Sequence, residues 1–177
     1  MRRLVQAAAL SAAMISPALA QDATTSPDVA RAAFIDPDGN SIGTGTLQDT
    51  PNGLLIQATI TGLPPGPHGF HVHETGECSV EGEFESAGGH FAPGGNEHGF
   101  MVDGGPHAGD FANQTAMDDG TMVVEVFNEN LRLTEGDNAV LDDDGAAIVI
   151  HSTADDYRTQ PSGASGDRIA CAVIEQR

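Results

Sequence analysis

The chain has 177 residues, a length that suits a single domain, and 39% of them are hydrophobic, enough for a core although tryptophan is absent. Acidic residues outnumber basic residues by 26 to 7, and every basic residue is an arginine. Because so acidic a surface repels phosphate groups and anionic lipid headgroups, nucleic acids and anionic membranes are excluded as expected partners.

The first twenty residues are typical of a cleaved export signal. Arg2 and Arg3 precede an alanine-rich apolar stretch, and Ala18, Leu19 and Ala20 form a small-x-small cleavage pattern. The apolar stretch is too short for a membrane anchor. We therefore predict a signal peptide at residues 1–20, a flexible lead-in at 21–27 and one domain at 28–177. The exported mature chain keeps five arginines and 26 carboxylates, so its formal charge is −21.

Short strand patterns separated by turns follow in chain order. The alternation of apolar and polar residues is clearest from Leu54 to Thr61 and is typical of a half-buried antiparallel strand. The first turn has Asp38 and Gly39 at its centre. The predicted strands are Val29 to Ile35, Ser41 to Leu47, Leu54 to Thr61, a histidine-bearing strand within 66–78, Met122 to Phe127, Ala146 to His151 and Ile169 to Ile174.

The histidine-bearing stretch from Gly66 to Cys78 holds three of the seven histidines. At the two-residue period of a strand, His71 and His73 lie on one face, and Phe70 and Val72 lie on the other. We therefore expect an apolar inner face and two imidazoles side by side on an outward face, which is half of a metal site.

Two long segments without a strand pattern separate these strands. Residues 74–113 are glycine-rich and contain three histidines, and residues 152–167 precede the last strand. A loop of about forty residues in a compact domain is usually functional or disordered, and its histidines favour a function. Many short strands, with no amphipathic helix beyond the signal, indicate an all-β sandwich or barrel.

The cysteines predict a cross-link between two of these segments. Cys78 and Cys171 are the two cysteines of an exported chain, where a disulfide is more common than free thiols. Joining residues this far apart in sequence would contribute on the order of 4 kcal/mol in the chain-entropy account.

Six of the seven histidines lie between residues 68 and 107, in or beside the first long loop, and Asp110 follows them. Imidazole suits copper and zinc, and a carboxylate among imidazoles suits zinc better than copper. The spacing alone predicts a histidine-rich transition-metal site on a β scaffold, with one metal or two left open.

Five motifs stand out along the chain: GPHGFHVHETGEC at 66–78, GGHFAP with His90, PHAGDF with His107 and Asp110, VIHSTADDY with His151 and Asp155, and SGASGDRIACAVI with Arg168 and Cys171, with His98 between the second and third. Together they resemble the motifs of the copper/zinc superoxide dismutases, and they look most like the exported bacterial branch. They occur in the order of the family and span about residues 29–174. The resemblance implies a Greek-key antiparallel β-sandwich or barrel with two long functional loops, and a location in the bacterial periplasm.

Carried over residue by residue, the resemblance implies two metal sites that share one histidine. Asp155 would hydrogen-bond a ligand of each metal, and Arg168 would be the cation beside the open copper position. His68 has the strand parity of Phe70, so we expect a structural role for it. The implied copper ligands are His71, His73, His90 and His151, the implied zinc ligands are His90, His98, His107 and Asp110, and the implied disulfide joins Cys78 to Cys171.

The same resemblance implies an enzyme that uses copper and zinc to convert superoxide to dioxygen and hydrogen peroxide. His90 would carry a proton, and Arg168 would attract the anion. Because the chain has no lysine and Asp167 precedes Arg168, steering would depend on Arg168 and Arg158.

Two readings without turnover stay open, an exported copper/zinc buffer and a metal-delivery protein. The complete set of copper ligands, together with Arg168, favours the enzyme over both. The family contains monomers and dimers, so the resemblance leaves a homodimer open.

Overall fold

The computed structural model describes residues 29–176, and the predicted signal peptide and lead-in lie outside the described residues. This part of the chain forms nine strands and one short 3-10 turn, and every pairing between the strands is antiparallel. None of its helical segments has the length and apolar character needed to cross a membrane. The strands are β1 Val29–Ile35, β2 Ser41–Thr50, β3 Gly53–Ile60, β4 Gly66–His68, β5 Phe70–His73, β6 Gln114–Ala116, β7 Met122–Asn128, β8 Ala147–His151 and β9 Arg168–Gln176.

The strands form one sheet in the order β4-β6-β7-β3-β2-β1-β9-β8-β5. Its two edge strands, β4 and β5, are separated in the chain only by Gly69, so the two edges of the sheet lie next to each other. The sheet is therefore a nearly closed barrel, an arrangement that leaves few exposed edges. Strand β3 pairs with β7 and β1 pairs with β9, so strands that are far apart in the sequence lie side by side, as in a Greek key. The predicted all-β class is confirmed.

The core lies inside the barrel, as the alternation of β3 predicts. Leu54, Ile56 and Ile60 are fully buried, whereas Gln57 and Thr59 between them are exposed. Burial of one side chain of this size contributes on the order of 2 kcal/mol. The inward face of β3 therefore holds the barrel together, and its polar face meets water.

The histidines of β5 lie on the face opposite the core, as predicted, but that face does not meet water. Phe70 and Val72 belong to the core cluster, and His71 and His73 are buried as well. The reason is that the first long loop folds back over this face, where His90 pairs with His73 and Asp110 with His71 in isolated bridges.

The two long loops have the predicted positions, between β5 and β6 and between β8 and β9. The first contains one regular element, the 3-10 turn Glu85–Ala87. Strand β6 was not predicted, because only Ala116 of its three residues is buried and so short a segment shows no alternation. The barrel strands other than β6 lie in the predicted segments, and the two loops bring the downstream histidines onto this barrel.

The predicted disulfide between Cys78 and Cys171 is present, with their Cα atoms 5.8 Å apart. It joins the first long loop to β9. Beside it, Phe84 and Ala87 of the loop pack with Val149 of β8 in a second buried cluster. The loop is thus attached to the outer surface of β8 and β9 by a covalent bond and by apolar contacts.

Replacing Cys171 by Ser should lower the free energy of unfolding of the metal-free protein by up to about 4 kcal/mol, and with it the melting temperature, because the loop loses its covalent bond to β9. Differential scanning calorimetry of the parent, the single variant and the Cys78→Ser/Cys171→Ser double variant measures the effect without interference from a lone thiol. Equal melting temperatures, or two reactive thiols in the native parent, would contradict the prediction.

Candidate metal centre

The structure brings the predicted metal ligands together in two groups that share one histidine. Within each group, ligand atoms from all four residues lie within 4.8 Å of one another. The carboxylate belongs to the second group, the position that the resemblance implied for Asp110. The four-imidazole group consists of His71, His73, His90 and His151, and the mixed group consists of His90, His98, His107 and Asp110.

His71 shows how one hydrogen bond leaves the other ring nitrogen free. Its Nε2–H donates to Oδ2 of Asp155 at 2.9 Å, so the proton of the neutral ring is on Nε2. Nδ1 then carries the lone pair, and it is buried without a hydrogen-bond partner among residues 29–176. An unpaired buried polar atom is costly, and a metal ion bound by the four-imidazole group would satisfy it.

His73 and His151 face each other through their free nitrogens. Nδ1–H of His73 donates to the carbonyl of Gly88 at 3.0 Å, and Nδ1–H of His151 donates to the carbonyl of Gly166 at 3.3 Å. The two Nε2 atoms, which then both carry lone pairs, are 3.4 Å apart. Two lone pairs at this distance repel each other, and a cation between them would turn the repulsion into attraction.

Asp110 is the centre of the mixed group. Its Oδ1 lies 2.8 Å from Nδ1 of His90, 3.1 Å from Nδ1 of His98 and 3.4 Å from Nδ1 of His107. Its Oδ2 accepts the backbone N–H groups of Gly99 and His107, which orient the carboxylate. Nδ1 of His107 has no hydrogen-bond partner in the described part of the chain. Three imidazole nitrogens and one carboxylate oxygen therefore converge, and this donor set fits a metal ion.

His90 belongs to both groups because its two nitrogens point to different sides. Nδ1–H donates to Asp110, whereas Nε2 is buried without a partner among the described residues. The ring lies against that of His71, with ring centroids 4.0 Å apart, and this contact restrains its plane. If Nδ1 gives up its proton to solvent, one imidazole can therefore bind a metal ion through each nitrogen.

Asp155 connects the two groups. Its Oδ1 accepts Nε2–H of His98 at 3.1 Å while its Oδ2 accepts that of His71. Asn113 fixes Asp155 by two hydrogen bonds, since its side-chain oxygen accepts the Asp155 N–H and its amide donates to the Asp155 carbonyl. Sequence analysis missed Asn113, because a single asparagine at the end of a loop carries no pattern.

Arg168 begins β9 and reaches back to the first long loop. Its Nη1 donates to the carbonyl of Phe84 and its Nη2 to that of Gly88, both at 2.7 Å. Because the Gly88 carbonyl also accepts Nδ1–H of His73, the guanidinium and this imidazole are attached to the same oxygen. Burial lowers the pKa of Arg168, but a guanidinium stays charged at neutral pH.

His68 lies in neither group, as expected, but it belongs to β4 and not to the strand of His71 and His73, so strand parity with Phe70 is not the reason. It is buried, with Nδ1 2.7 Å from the carbonyl of His151 and Nε2 2.7 Å from the carbonyl of Pro64. It therefore connects the backbone at the end of β8 to the segment before β4, which is a structural role.

Burial keeps three imidazoles of the four-imidazole group, those of His71, His73 and His151, neutral. Burial is the larger cause that lowers the pKa of both His71 and His73 well below the usual value, and repulsion from the nearby His90 ring, when it is protonated, adds to it. For His151, burial outweighs the hydrogen bond to the Gly166 carbonyl and lowers the pKa to about 4. Because metals bind neutral imidazole, these nitrogens are in the binding form at physiological pH.

Asp110 stays ionised for the opposite reason. Burial alone would raise the pKa of Asp110, but hydrogen bonds from the His90 ring and from the Gly99 N–H outweigh it and lower the pKa. A carboxylate that is charged at all ordinary pH values is the form that a divalent cation binds.

The metal-free protein should become less stable as the pH falls from about 7 to about 4. The unfolded chain binds protons on these histidines near pH 6.5, whereas the folded protein binds them at lower pH, so acid favours unfolding. His151 alone would contribute on the order of 3 kcal/mol. Urea unfolding of chelator-treated protein at several pH values in this range measures the free energy of unfolding. This free energy should depend less steeply on pH in His151→Gln than in the parent. A free energy of unfolding that does not change would contradict the pKa directions.

Comparison with known proteins agrees with this geometry. Residues 41–174 match the family described as copper/zinc superoxide dismutase (SODC). The chain is 42% identical to copper-zinc superoxide dismutase 2 of Aquifex aeolicus over 98% of this chain and 99% of that one. The structure of a SOD-like protein from Bacillus subtilis gives a TM-score of 0.77 at 39% identity, over 81% of this chain and 96% of that one. The Cu/Zn superoxide dismutase from Brucella abortus gives 0.68 at 29% identity, over 84% and 100%. From the motifs, the two ligand groups and these likenesses together, we conclude that this chain belongs to the copper/zinc superoxide dismutase family.

Proposed function

We propose that this protein converts superoxide to dioxygen and hydrogen peroxide, with copper in the four-imidazole group and zinc in the mixed group. The observation that carries the proposal is the set of buried ring nitrogens of His71, His90 and His107 that lack a partner among the described residues. Four nitrogens suit copper, and three nitrogens with one carboxylate oxygen suit zinc. The two donor sets therefore support different metals at adjacent positions.

Bound copper would supply the electron transfer, taking one electron from a first superoxide and returning it to a second, which becomes hydrogen peroxide with two protons. The chain supplies a proton at the site of reaction. Nε2 of His90 faces the four-imidazole group while Nδ1 faces Asp110, so Nε2, whenever it is not bound to a metal, can hold one proton next to the substrate and release it, and the second proton would come from water. The contact with His71 keeps the ring in place meanwhile.

Arg168 would bind the anionic substrate. Two of its five N–H groups are used by the carbonyls of Phe84 and Gly88, and the others are left to donate to an oxygen anion. Because the same two bonds fix the guanidinium beside His73, its charge acts at a defined position. A charge-assisted hydrogen bond to the substrate is stronger than a neutral one.

Attraction of superoxide must be local in this protein. Glu85 lies close enough to Arg168 to act on its pKa, and Asp156 and Asp167 are exposed on the second long loop. Arg158 is an exposed cation on the same loop. With a formal charge of −19 over the whole chain, the distant field repels an anion, so Arg168 has to offset it at close range.

We also propose export to the bacterial periplasm with removal of residues 1–20. The formed disulfide supports export, since structural disulfides are rare in the cytosol. Mass spectrometry of protein recovered from the periplasm should show an amino terminus at Gln21; recovery of uncleaved protein from the cytosol would contradict it. The homodimer stays a prediction.

A buffer would need the two ligand groups but not the fixed Arg168, and a delivery protein would be expected to lack a complete set of copper ligands. Stopped-flow consumption of superoxide by protein loaded with one copper and one zinc tests the function. Catalytic consumption supports the enzyme, and stoichiometric metal binding without turnover would show the alternative.

Replacing His73 by Ala should remove copper binding and turnover while leaving a folded barrel, because His73 contributes one ligand and one hydrogen bond. Replacing Asp110 by Ala should instead lower thermal stability more than initial activity, because the N–H groups of Gly99 and His107 lose their acceptor. Metal analysis, superoxide consumption and circular dichroism of both variants distinguish these effects, with Gln57→Ala on the outer face of β3 as control. Full turnover by copper-free His73→Ala protein would overturn the site assignment.

Replacing Arg168 by Gln or by Glu should slow turnover, by on the order of tenfold or more for Glu, because the local cation is lost. At a Debye length of about 8 Å the distant carboxylates are already largely screened in the parent. The Glu variant repels superoxide at short range as well, so screening by added salt should accelerate it more than the parent. Rates are compared across a salt series, with Arg158→Glu as the matched charge change. Identical rates for parent and Arg168→Glu would show that Arg168 does not guide the substrate.

A further inference from the structure

Gln160, in the second long loop, holds the backbone of His98 through a paired hydrogen bond. Its Oε1 accepts the His98 N–H at 2.9 Å, and its Nε2 donates to the His98 carbonyl at 2.8 Å. The same Nε2 also donates to the carbonyl of Arg158 at 3.2 Å. One exposed side chain thereby satisfies both backbone polar groups of a residue that is itself fully buried.

His98 needs such a partner because it lies outside any strand, in the irregular part of the first long loop. A buried backbone N–H or carbonyl without a partner is costly, so the loop would otherwise have to turn these groups toward water. Turning the backbone would move the imidazole, whose Nδ1 lies 3.1 Å from Asp110. The amide of Gln160 therefore keeps the ring in the mixed group.

The second long loop holds His98 at both ends of the residue. Asp155 accepts Nε2–H of the ring, and Gln160 holds the backbone. The contact between the two loops is close, because a Cβ on Gly99 would collide with the carbonyl of Tyr157. Two attachments on one residue fix its position and the rotation of its ring.

We infer that Gln160 is a positioning residue for zinc: the second long loop, through this side chain, sets the affinity of the mixed group. This inference rests on the zinc ligands proposed above. Sequence analysis gave no signal for Gln160, since a glutamine before a proline in a loop is an ordinary exposed residue. Its role follows from the two bonds to His98 alone.

The test is zinc affinity of the copper-free protein, measured by competition with a chromophoric chelator, with the visible absorption of bound cobalt as a second readout. Gln160→Met keeps the length of the side chain and removes both bonds to His98. Gln160→Glu keeps the acceptor but places an oxygen against the carbonyls of His98 and Arg158. Gln57→Met, a change of the same kind on β3, is the control. Both positions are exposed, so the variants should fold.

We expect the zinc dissociation constant to rise on the order of tenfold in Gln160→Met, and at least as much in Gln160→Glu, with altered cobalt absorption and no change in Gln57→Met. A purely structural role would lower the melting temperature of the metal-free protein and leave zinc affinity as in the parent, which would overturn the inference. His107→Ala distinguishes a failure of the zinc ligand assignment from a failure of the role of Gln160. If it binds zinc like the parent, the ligand assignment fails; if it loses zinc while Gln160→Met does not, the role of Gln160 alone fails.

Discussion

One buried carboxylate determines which ring nitrogen is available in one histidine of each ligand group. Asp155 accepts Nε2–H from His71 at 2.9 Å and from His98 at 3.1 Å, so each ring presents Nδ1 to its group. Without this acceptor both rings could turn over, and the lone pairs would no longer converge. Asp155 comes from the second long loop, whereas the rings come from β5 and the first long loop, so the site exists only when barrel and both loops are assembled. Asn113 joins the end of the first long loop to Asp155 of the second, and the disulfide joins the first long loop to β9.

The site is expensive for the folded chain until a metal is bound. Buried imidazoles with depressed pKa values and unpaired lone pairs destabilise the native state, and the barrel core and the cross-link have to offset this. The same arrangement suits metal binding, because the rings are already neutral and oriented and little reorganisation is needed. Arg168 contributes in the same manner, since the carbonyls of Phe84 and Gly88 hold its charge in position before any anion arrives.

Much of the barrel could be predicted from the sequence, because alternation reports directly on a half-buried strand. The bounds of β1 were predicted as they occur, and the parity of β5 correctly separated His71 and His73 from Phe70. Burial of the two histidines could not be read from alternation, because the covering loop has no pattern of its own. Spacing indicated a metal site but left the number of metals open, and only the resemblance divided the ligands. The contacts of Asn113 and Gln160 were invisible, because each depends on two loops that meet only in the folded chain.

The tautomers of the ring nitrogens test the central claim most directly. Long-range proton–nitrogen correlation spectra of the metal-free protein, with nitrogen-15 in the histidines, distinguish a protonated Nε2 from a protonated Nδ1. We predict protonated Nε2 in His71 and His98, protonated Nδ1 in His73 and His151, and a switch or rapid exchange in His71 and His98 when Asp155 is replaced by Ala. Protonated Nδ1 in His71 or His98 of the parent, or unchanged tautomers in Asp155→Ala, would show that this carboxylate does not set the ligand atoms.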